Sequence, residues 1–258
     1  MESVIFEIKN SVATLKLNRP EKFNSFNKEM ALRFQSLLDQ CESNDDVRSI
    51  YITAQGKAFC AGQDLQEVTD PNGPKLAEIV SKHYNPIIER IRNIEKPVIM
   101  AVNGVAAGAG ANIALAGDVC VAAESAKFIQ AFSKIGLIPD SAGTFFLPRL
   151  IGLQKASALM MLGDKVSASD AEGLGMIYKV FTDEEFSEKS YELAVKLASL
   201  PTKGLGMTKR ALNQSFTNNL TQQLALEDKL QSAAGRTKDY REGVTAFLEK
   251  RKPNFTGE

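Results

Sequence analysis

The sequence predicts an α/β protein whose C-terminal part is mostly helical. Three observations carry that expectation. Apolar β-rich runs alternate with segments of helical periodicity through the first half of the chain. From about Gln154 the pattern becomes mostly helical. The 258 residues, 44% hydrophobic, suffice to bury one large core or two unequal ones.

The elements follow in order. Val4 to Lys9 and Val12 to Leu17 are β-rich and meet at Asn10-Ser11, which predicts a hairpin. Met30, Phe34, Leu37, Leu38 and Cys41 then share one helical face, with Asn27 as its N-cap. Arg48 to Ala54 reads as a strand, and Gln55 to Asp64 as a glycine-containing loop. Asn72-Gly73-Pro74 opens a long helix with the stripe Leu76, Ile79, Val80, Tyr84, Ile87, Ile88 and Ile91, kinked at Pro86. Pro97 to Asn103 is a short strand, Gly104 to Ala111 a small-residue segment, Ala111 to Ala116 a helix and Asp118 to Ala123 another strand. Ser167 and Ser169 are cap candidates for a short helix and Asp183 for the next, and Pro201 begins further helices running to Lys250. These divide the chain into an α/β core, residues 1–200, and a helical region, residues 201–258.

Composition excludes several classes of function. Lys+Arg and Asp+Glu number 31 each, so there is no basic field for nucleic acid or an anionic membrane. No apolar run approaches the roughly 18 residues of a spanning helix. The start, MESVIFEIKN, has no signal-peptide pattern and the end, FTGE, is no peroxisomal or retention address, so the expected location is the cytoplasm. Cys41, Cys60 and Cys120 are scattered and His83 is the only histidine, which argues against a His/Cys zinc site and against His-dependent nucleophilic triads. Carboxylates, hydroxyls and main-chain amides remain as the chemical toolkit.

Three segments stand out. Phe59 to Leu65 holds Ala61 and Gly62, small enough for a ligand to approach the backbone, and the Gln63 amide beside them; a plain glycine turn is the alternative. Asn103 to Asn112 is Gly and Ala apart from Val105, between a strand and a helix. A helix start there offers unpaired N–H groups to a developing oxyanion, while tight helix–sheet packing also explains the small residues. Within it, Gly108-x-Gly110-x-x-Ile113 is a poor dinucleotide fingerprint: a bulky Ile takes the third position and no acid lies at the expected distance. In Ile135 to Thr144, Asp140 is an isolated carboxylate among apolar and small residues. It reads either as a desolvated general acid/base or as the N-cap of a helix starting at Ser141. His83, near an apolar stripe, reads as a packing histidine.

In order along the chain, LNRPEKFNSF (Leu17 to Phe26), FCAGQDL, NGVAAGAGANIALAGD and REGVTAFLEKRKPNF (Arg241 to Phe255) resemble the crotonase, or enoyl-CoA hydratase/isomerase, superfamily over essentially the whole length. The resemblance implies a crotonase-like spiral of ββα units with a helical C-terminal trimerisation region. It also implies an acyl-CoA thioester substrate, no cofactor beyond the coenzyme A of that substrate, and a homo-oligomer, trimer or dimer of trimers. Carried onto this sequence, the oxyanion hole falls on the main-chain amides of Gln63 and Ala109. The CoA-facing backbone falls on Ala61, Gly62, Gln63, Asp64 and Leu65, and the residues near a neighbouring subunit's CoA on Phe247 and Lys250.

The superfamily's hydratases activate water with two glutamates, whose positions hold Asn112 and Phe132 here. Asp140 stands where some of its isomerases keep a catalytic Asp. These departures point to a thioester isomerase. The stretches Tyr84-Asn85-Pro86, SAKFIQAFSKIGLIPD and AGRTKDYREGV resemble members of the family that act on a ring 1,2-epoxide of phenylacetyl-CoA. The resemblance implies that substrate or an enoyl-CoA double bond, with Tyr84 and Phe132 shaping the pocket. A hydratase of the same fold and a non-catalytic acyl-CoA-binding protein are the alternatives. An aryl-CoA dehalogenase is disfavoured, because that family's reaction needs a Trp that this chain lacks.

Overall fold

The computed structural model describes residues 2–258. It opens with the expected hairpin, β1 (Val4–Lys9) and β2 (Val12–Leu17), turning on Asn10 and Ser11 at φ of 54° and 57°. Helix α1 (Lys28–Ser43) follows, with the Asn27 side chain accepting from the Met30 N–H as its cap.

Three strand–strand–helix turns then succeed one another. The first runs from β3 (Ser49–Ala54) to β4 (Ala58–Cys60) and into the short helices α2 (Leu65–Thr69) and α3 (Leu76–Glu78), then α4 (Asn85–Asn93). The second is β5 (Val98–Val102), β6 (Val105–Ala107) and α5 (Ala109–Leu115). The third is β7 (Val119–Ala123), β8 (Lys127–Ile129) and a 3₁₀ turn at Ala131–Ile135 leading to α6 (Gly143–Ile151) and α7 (Leu153–Leu162). After these come β9 (Lys165–Ser167), α8 (Ala168–Gly173), β10 (Lys179–Phe181), α9 (Asp183–Ala198), α10 (Thr202–Ser215), α11 (Leu220–Ala234) and α12 (Lys238–Leu248).

In each turn the longer strand joins a six-stranded sheet, ordered β1-β2-β3-β5-β7-β10, and the three-residue strand joins a four-stranded sheet, ordered β4-β6-β8-β9. Beyond the β1–β2 hairpin, every pair of the large sheet is parallel. Helices cover both its faces, so its inner strands are mostly buried on both sides and their side chains alternate between two cores. Ile50, Ile52, Val98 and Met100 point to the core shared with Phe34, Leu37, Leu38, Ile87 and Ile91. Tyr51, Ile99, Ala101 and Val121 point to the opposite face, closed by Phe186, Ala194 and Ala198 of α9.

The structure corrects several sequence expectations. The loop from Gln55 to Asp64 contains β4, the small-residue segment contains β6, and β8 to β10 were not anticipated. Thr182, not Asp183, caps α9, and Ser167 alone caps α8. The kink at Pro86 takes the form of a π-helical turn, Ile79–Tyr84. Proline has no N–H for the Lys82 carbonyl, and the Gln35 amide donates to that carbonyl (2.8 Å) and to the His83 carbonyl (3.1 Å) instead. His83 is buried, as a packing role requires. Helix α10 is joined to the core by Lys209, whose ammonium meets Asp118 at 2.8 Å while Arg92 approaches the same carboxylate at 3.1 Å.

Candidate active site

Strands β4, β6 and β8 are parallel neighbours, so the chain leaves all three at the same edge of the small sheet. That places the three sequence segments side by side. Their residues line one cavity of about 300 Å³, with Ala61, Gly62, Gln63 and Leu65 from the first segment. Gly108 and Ala109 come from the second, Phe132, Leu137 and Asp140 from the third, and Tyr84 from the π-helical turn. Among the described residues, Asp140 is the only acid in that lining.

The direction of the Gln63 N–H follows from a long-range bridge. Phe26 pairs with Gln63 in parallel fashion: its N–H donates to the Gly62 carbonyl (2.7 Å) and its carbonyl accepts from the Asp64 N–H (2.8 Å). In such a bridge the middle residue's own N–H points the other way. Ala109 is the first residue of α5, so its N–H has no helical acceptor. Among the described residues neither N–H has a partner in the chain, whereas the Gly108 N–H, one residue before Ala109, donates to the Ile129 carbonyl (2.9 Å). The two segments are in close contact. Gly62 has φ of +94°, and a Cβ there would stand 3.1 Å from the Ala107 oxygen and 3.5 Å from the Ala109 nitrogen.

Side chains fix the Gln63 donor from behind. Tyr84 Oη donates to Gln63 Oε1 (2.7 Å), and Gln63 Nε2 donates to Glu67 Oε2 (2.9 Å). Burial holds the Tyr84 phenol well above its usual range, so it stays a neutral donor. Phe132 is buried against Gly108, its ring tip 3.8 Å from where a Cβ would stand.

Asp140 does not cap a helix. Helix α6 begins at Gly143 with Ala142 as N-cap, because Ser141 and Ala142 take left-handed φ of 50° and 58° and break the helical path. The carboxylate is half-buried in the cavity wall, and Ser141 Oγ donates to its Oδ1 (2.9 Å). Burial raises its pKa from the ordinary carboxylate value, and the Ser141 bond offsets part of that rise.

Three of the expected site residues do not line this cavity. The Asp64 side chain caps α2 and pairs with Arg19 at 2.8 Å, away from the cavity, which leaves only its main chain near the site. Phe247 stands in the last turn of α12 and Lys250 just past its end, and Phe247 is 83% exposed beside Tyr240, Val244 and Leu248. Sequence reading noted Asn112 only as a replaced glutamate, yet its Nδ2 donates to the Asp140 main-chain carbonyl (2.8 Å). Among the described residues no three His, Cys, Asp or Glu side chains cluster as metal ligands, and no helix is long and apolar enough to cross a membrane.

Residues 7–258 match the family described as enoyl-CoA hydratase/isomerase. The chain belongs to that family. Within the enoyl-CoA hydratase/isomerase family it is 50% identical to the 1,2-epoxyphenylacetyl-CoA isomerase of Escherichia coli K12, covering 100% of this chain and 99% of that one. It is 40% identical to a probable enoyl-CoA hydratase of Rhodobacter capsulatus, over 99% of this chain and 98% of the relative. It is 35% identical to the trans-2-decenoyl acyl-carrier-protein isomerase of Streptococcus mutans, with the same coverage. Among solved structures, a putative enoyl-CoA hydratase/isomerase from Mycobacterium abscessus superposes with a TM-score of 0.92 at 34% identity, over 99% of this chain and 100% of that one. The fold is accordingly that of the crotonase superfamily.

Proposed function

We propose that this enzyme isomerises acyl-CoA thioesters by moving one proton, with Asp140 as the acid/base and the Gln63 and Ala109 N–H groups holding the charged thioester oxygen. One observation carries the reading: a single carboxylate of raised pKa shares a largely apolar cavity with two unpaired main-chain donors. The cavity lies at the low end of the roughly 300–1,000 Å³ typical of ligand sites, so it suits the acyl group and leaves the nucleotide part outside.

The steps balance without a co-reactant. Asp140 removes a proton from the carbon beside the thioester carbonyl, and the electron pair left behind delocalises onto the oxygen. The two N–H groups stabilise that charge in a site where water does not compete. The Asp140 acid then returns the proton to another carbon, so the double bond has moved and the enzyme is regenerated. Phe132 closes the wall on one side and limits the access of water.

For the natural substrate, the reading is a ring 1,2-epoxyphenylacetyl thioester converted to its oxepin, with enoyl-CoA double-bond shifts as a second activity. In the first, the carbon–carbon bond shared by the epoxide and the six-membered ring breaks as the ring double bonds shift, and Asp140 moves the proton from the carbon beside the thioester to a ring carbon. The named isomerase at 50% identity supports the first and the decenoyl isomerase at 35% supports the second. Hydration is disfavoured because the lining holds one carboxylate where activating a water calls for a second polar base. We take the protein to be a homo-oligomer, trimer or dimer of trimers, with Phe247 and Lys250 lying against a neighbour's CoA. The exposed Leu220, Leu224, Phe247 and Leu248 of the C-terminal helices support that assembly.

A panel of CoA esters assayed for isomer and hydrated products tests the function. Isomers of the ring epoxide and of β,γ-enoyl thioesters are expected. A 3-hydroxyacyl-CoA as the main product would overturn the reading.

A further inference from the structure

Asp140 is followed by two non-glycine residues in left-handed conformation, Ser141 and Ala142. Such backbone persists only where its surroundings hold it. The surroundings here are a pair of buried amides. Asn112, 1% exposed, donates from Nδ2 to the Asp140 main-chain carbonyl (2.8 Å) and accepts at Oδ1 from Gln130 Nε2 (2.8 Å). The carbonyl of Asp140 can only accept, so it dictates which way the Asn112 amide faces and leaves Oδ1 for Gln130. The turn is also packed onto that amide: a Cβ at Gly143 would come within 2.3 Å of Asn112 Nδ2.

Gln130 points to the same conclusion from the other side. It is 4% exposed, and its Oε1 has no partner among the described residues. A buried amide with an unused acceptor is less stable than an apolar residue in the same space. What it supplies in return is the donation that fixes Asn112.

We propose that the Gln130–Asn112 amide pair is the positioning device of the proton-transfer site: it clamps the Asp140 backbone so that the carboxylate faces the acyl cavity instead of capping α6. The inference rests on Asp140 being the acid/base. The pair touches no reacting atom. Asn112 stands on α5, whose first residue is Ala109, so the same helix carries one oxyanion donor and the group that aims the acid. Both partners of the reaction are thereby referenced to one rigid element.

The test uses a β,γ-unsaturated hexenoyl-CoA with three variants, Asn112→Ala, Asn112→Asp and Gln130→Leu. Asn112→Ala is expected to lower kcat about 10²-fold with KM little changed, the effect of misplacing a reacting group. Gln130→Leu, which leaves Asn112 in place, is expected to lower kcat about tenfold. Asn112→Asp keeps the shape and loses the donor when ionised, but regains it when protonated. Its kcat should therefore acquire a falling alkaline limb that the wild type lacks. A wild-type kcat and pH profile in Asn112→Asp, or an unchanged kcat in Gln130→Leu, would overturn the proposal, and the latter decides if the Asn112 variants do not fold. Should Asp140→Asn retain full turnover, the proposed function fails instead. Crystal structures of the variants then still read whether the Ser141–Ala142 turn has moved.

Discussion

The six-stranded and four-stranded sheets grow from the same three chain turns, yet they do different work. Strands β3, β5 and β7 are five or six residues long, buried on both faces and locked between helices. Strands β4, β6 and β8 have three residues each, and the chain leaves their shared edge as loops. Every cavity residue singled out above, except Tyr84, follows one of those three short strands. The large sheet supplies rigidity and the small one supplies a common exit for three loops. Changes in the small sheet's loops should therefore cost chemistry, and changes in the large sheet's supports should cost stability.

The strongest way to break that division is Asp140→Asn. Loss of an acid/base group lowers rates by about 10²–10⁴-fold, and with no second carboxylate in the lining a fall of about 10³ in kcat is expected. Acyl-CoA affinity should persist, because the N–H donors and apolar walls are untouched. Calorimetric titration with a saturated acyl-CoA checks the binding. Turnover above a tenth of wild type would remove Asp140 from the mechanism.

The same contrast explains what the sequence disclosed. The hairpin, α1 and the strands β3, β5 and β7 of the large sheet were legible because five or more residues show a period, and buried parallel strands read as apolar runs. The short strands were not, since three residues cannot display alternation. The segments bearing Gln63, Ala109 and Asp140 were visible as chemistry, and family resemblance supplied their roles. Whether Asp140 was cap or acid stayed open in one dimension. The answer lies in the left-handed backbone of Ser141 and Ala142, which no local propensity announces. Asn112 was hidden for a similar reason, because its amide acts on a carbonyl 28 positions away.

On the stability side, Asp118→Ala should be the costliest change short of the core. It leaves Lys209, whose side chain is 5% exposed, and Arg92 without their shared carboxylate, and it removes the acceptor of the Val98 N–H (2.8 Å). Unpairing a buried cation costs about 3–5 kcal/mol, and the remaining carbonyl partners of Lys209 put this case near about 3. Urea unfolding should show that loss while kcat per folded molecule stays near wild type. A fall in kcat without a fall in stability would contradict the division of labour.

Gly110→Ala probes the seam between the two regions. Its Cβ would meet the Cys60 oxygen at 2.4 Å and Sγ at 2.7 Å, so α5 must shift away from β4. Overpacking of this kind costs about 1–3 kcal/mol. Because Ala109 is the neighbouring residue, kcat should fall as well, so this variant should lower both readouts. Kinetics and thermal melting on one preparation check it.

The smallest effect sharpens the comparison most, because it reverses the usual sign. Burial raises the Asp140 pKa above its ordinary value of 3.8, so the folded chain holds that proton more tightly than the unfolded chain does. Between the two values the native state binds more protons, and stability falls as pH rises through that window. Above the folded pKa the ionised carboxylate remains a standing cost, which a neutral side chain of the same shape does not incur. Asp140→Asn should therefore melt at a higher temperature than wild type at neutral pH. The gap should close as the pH is lowered below 3.8, where the wild-type acid is neutral in both states. A variant that melts lower at neutral pH would mean that the carboxylate is stabilised by its surroundings, and a site strained toward catalysis would be the wrong description of this loop.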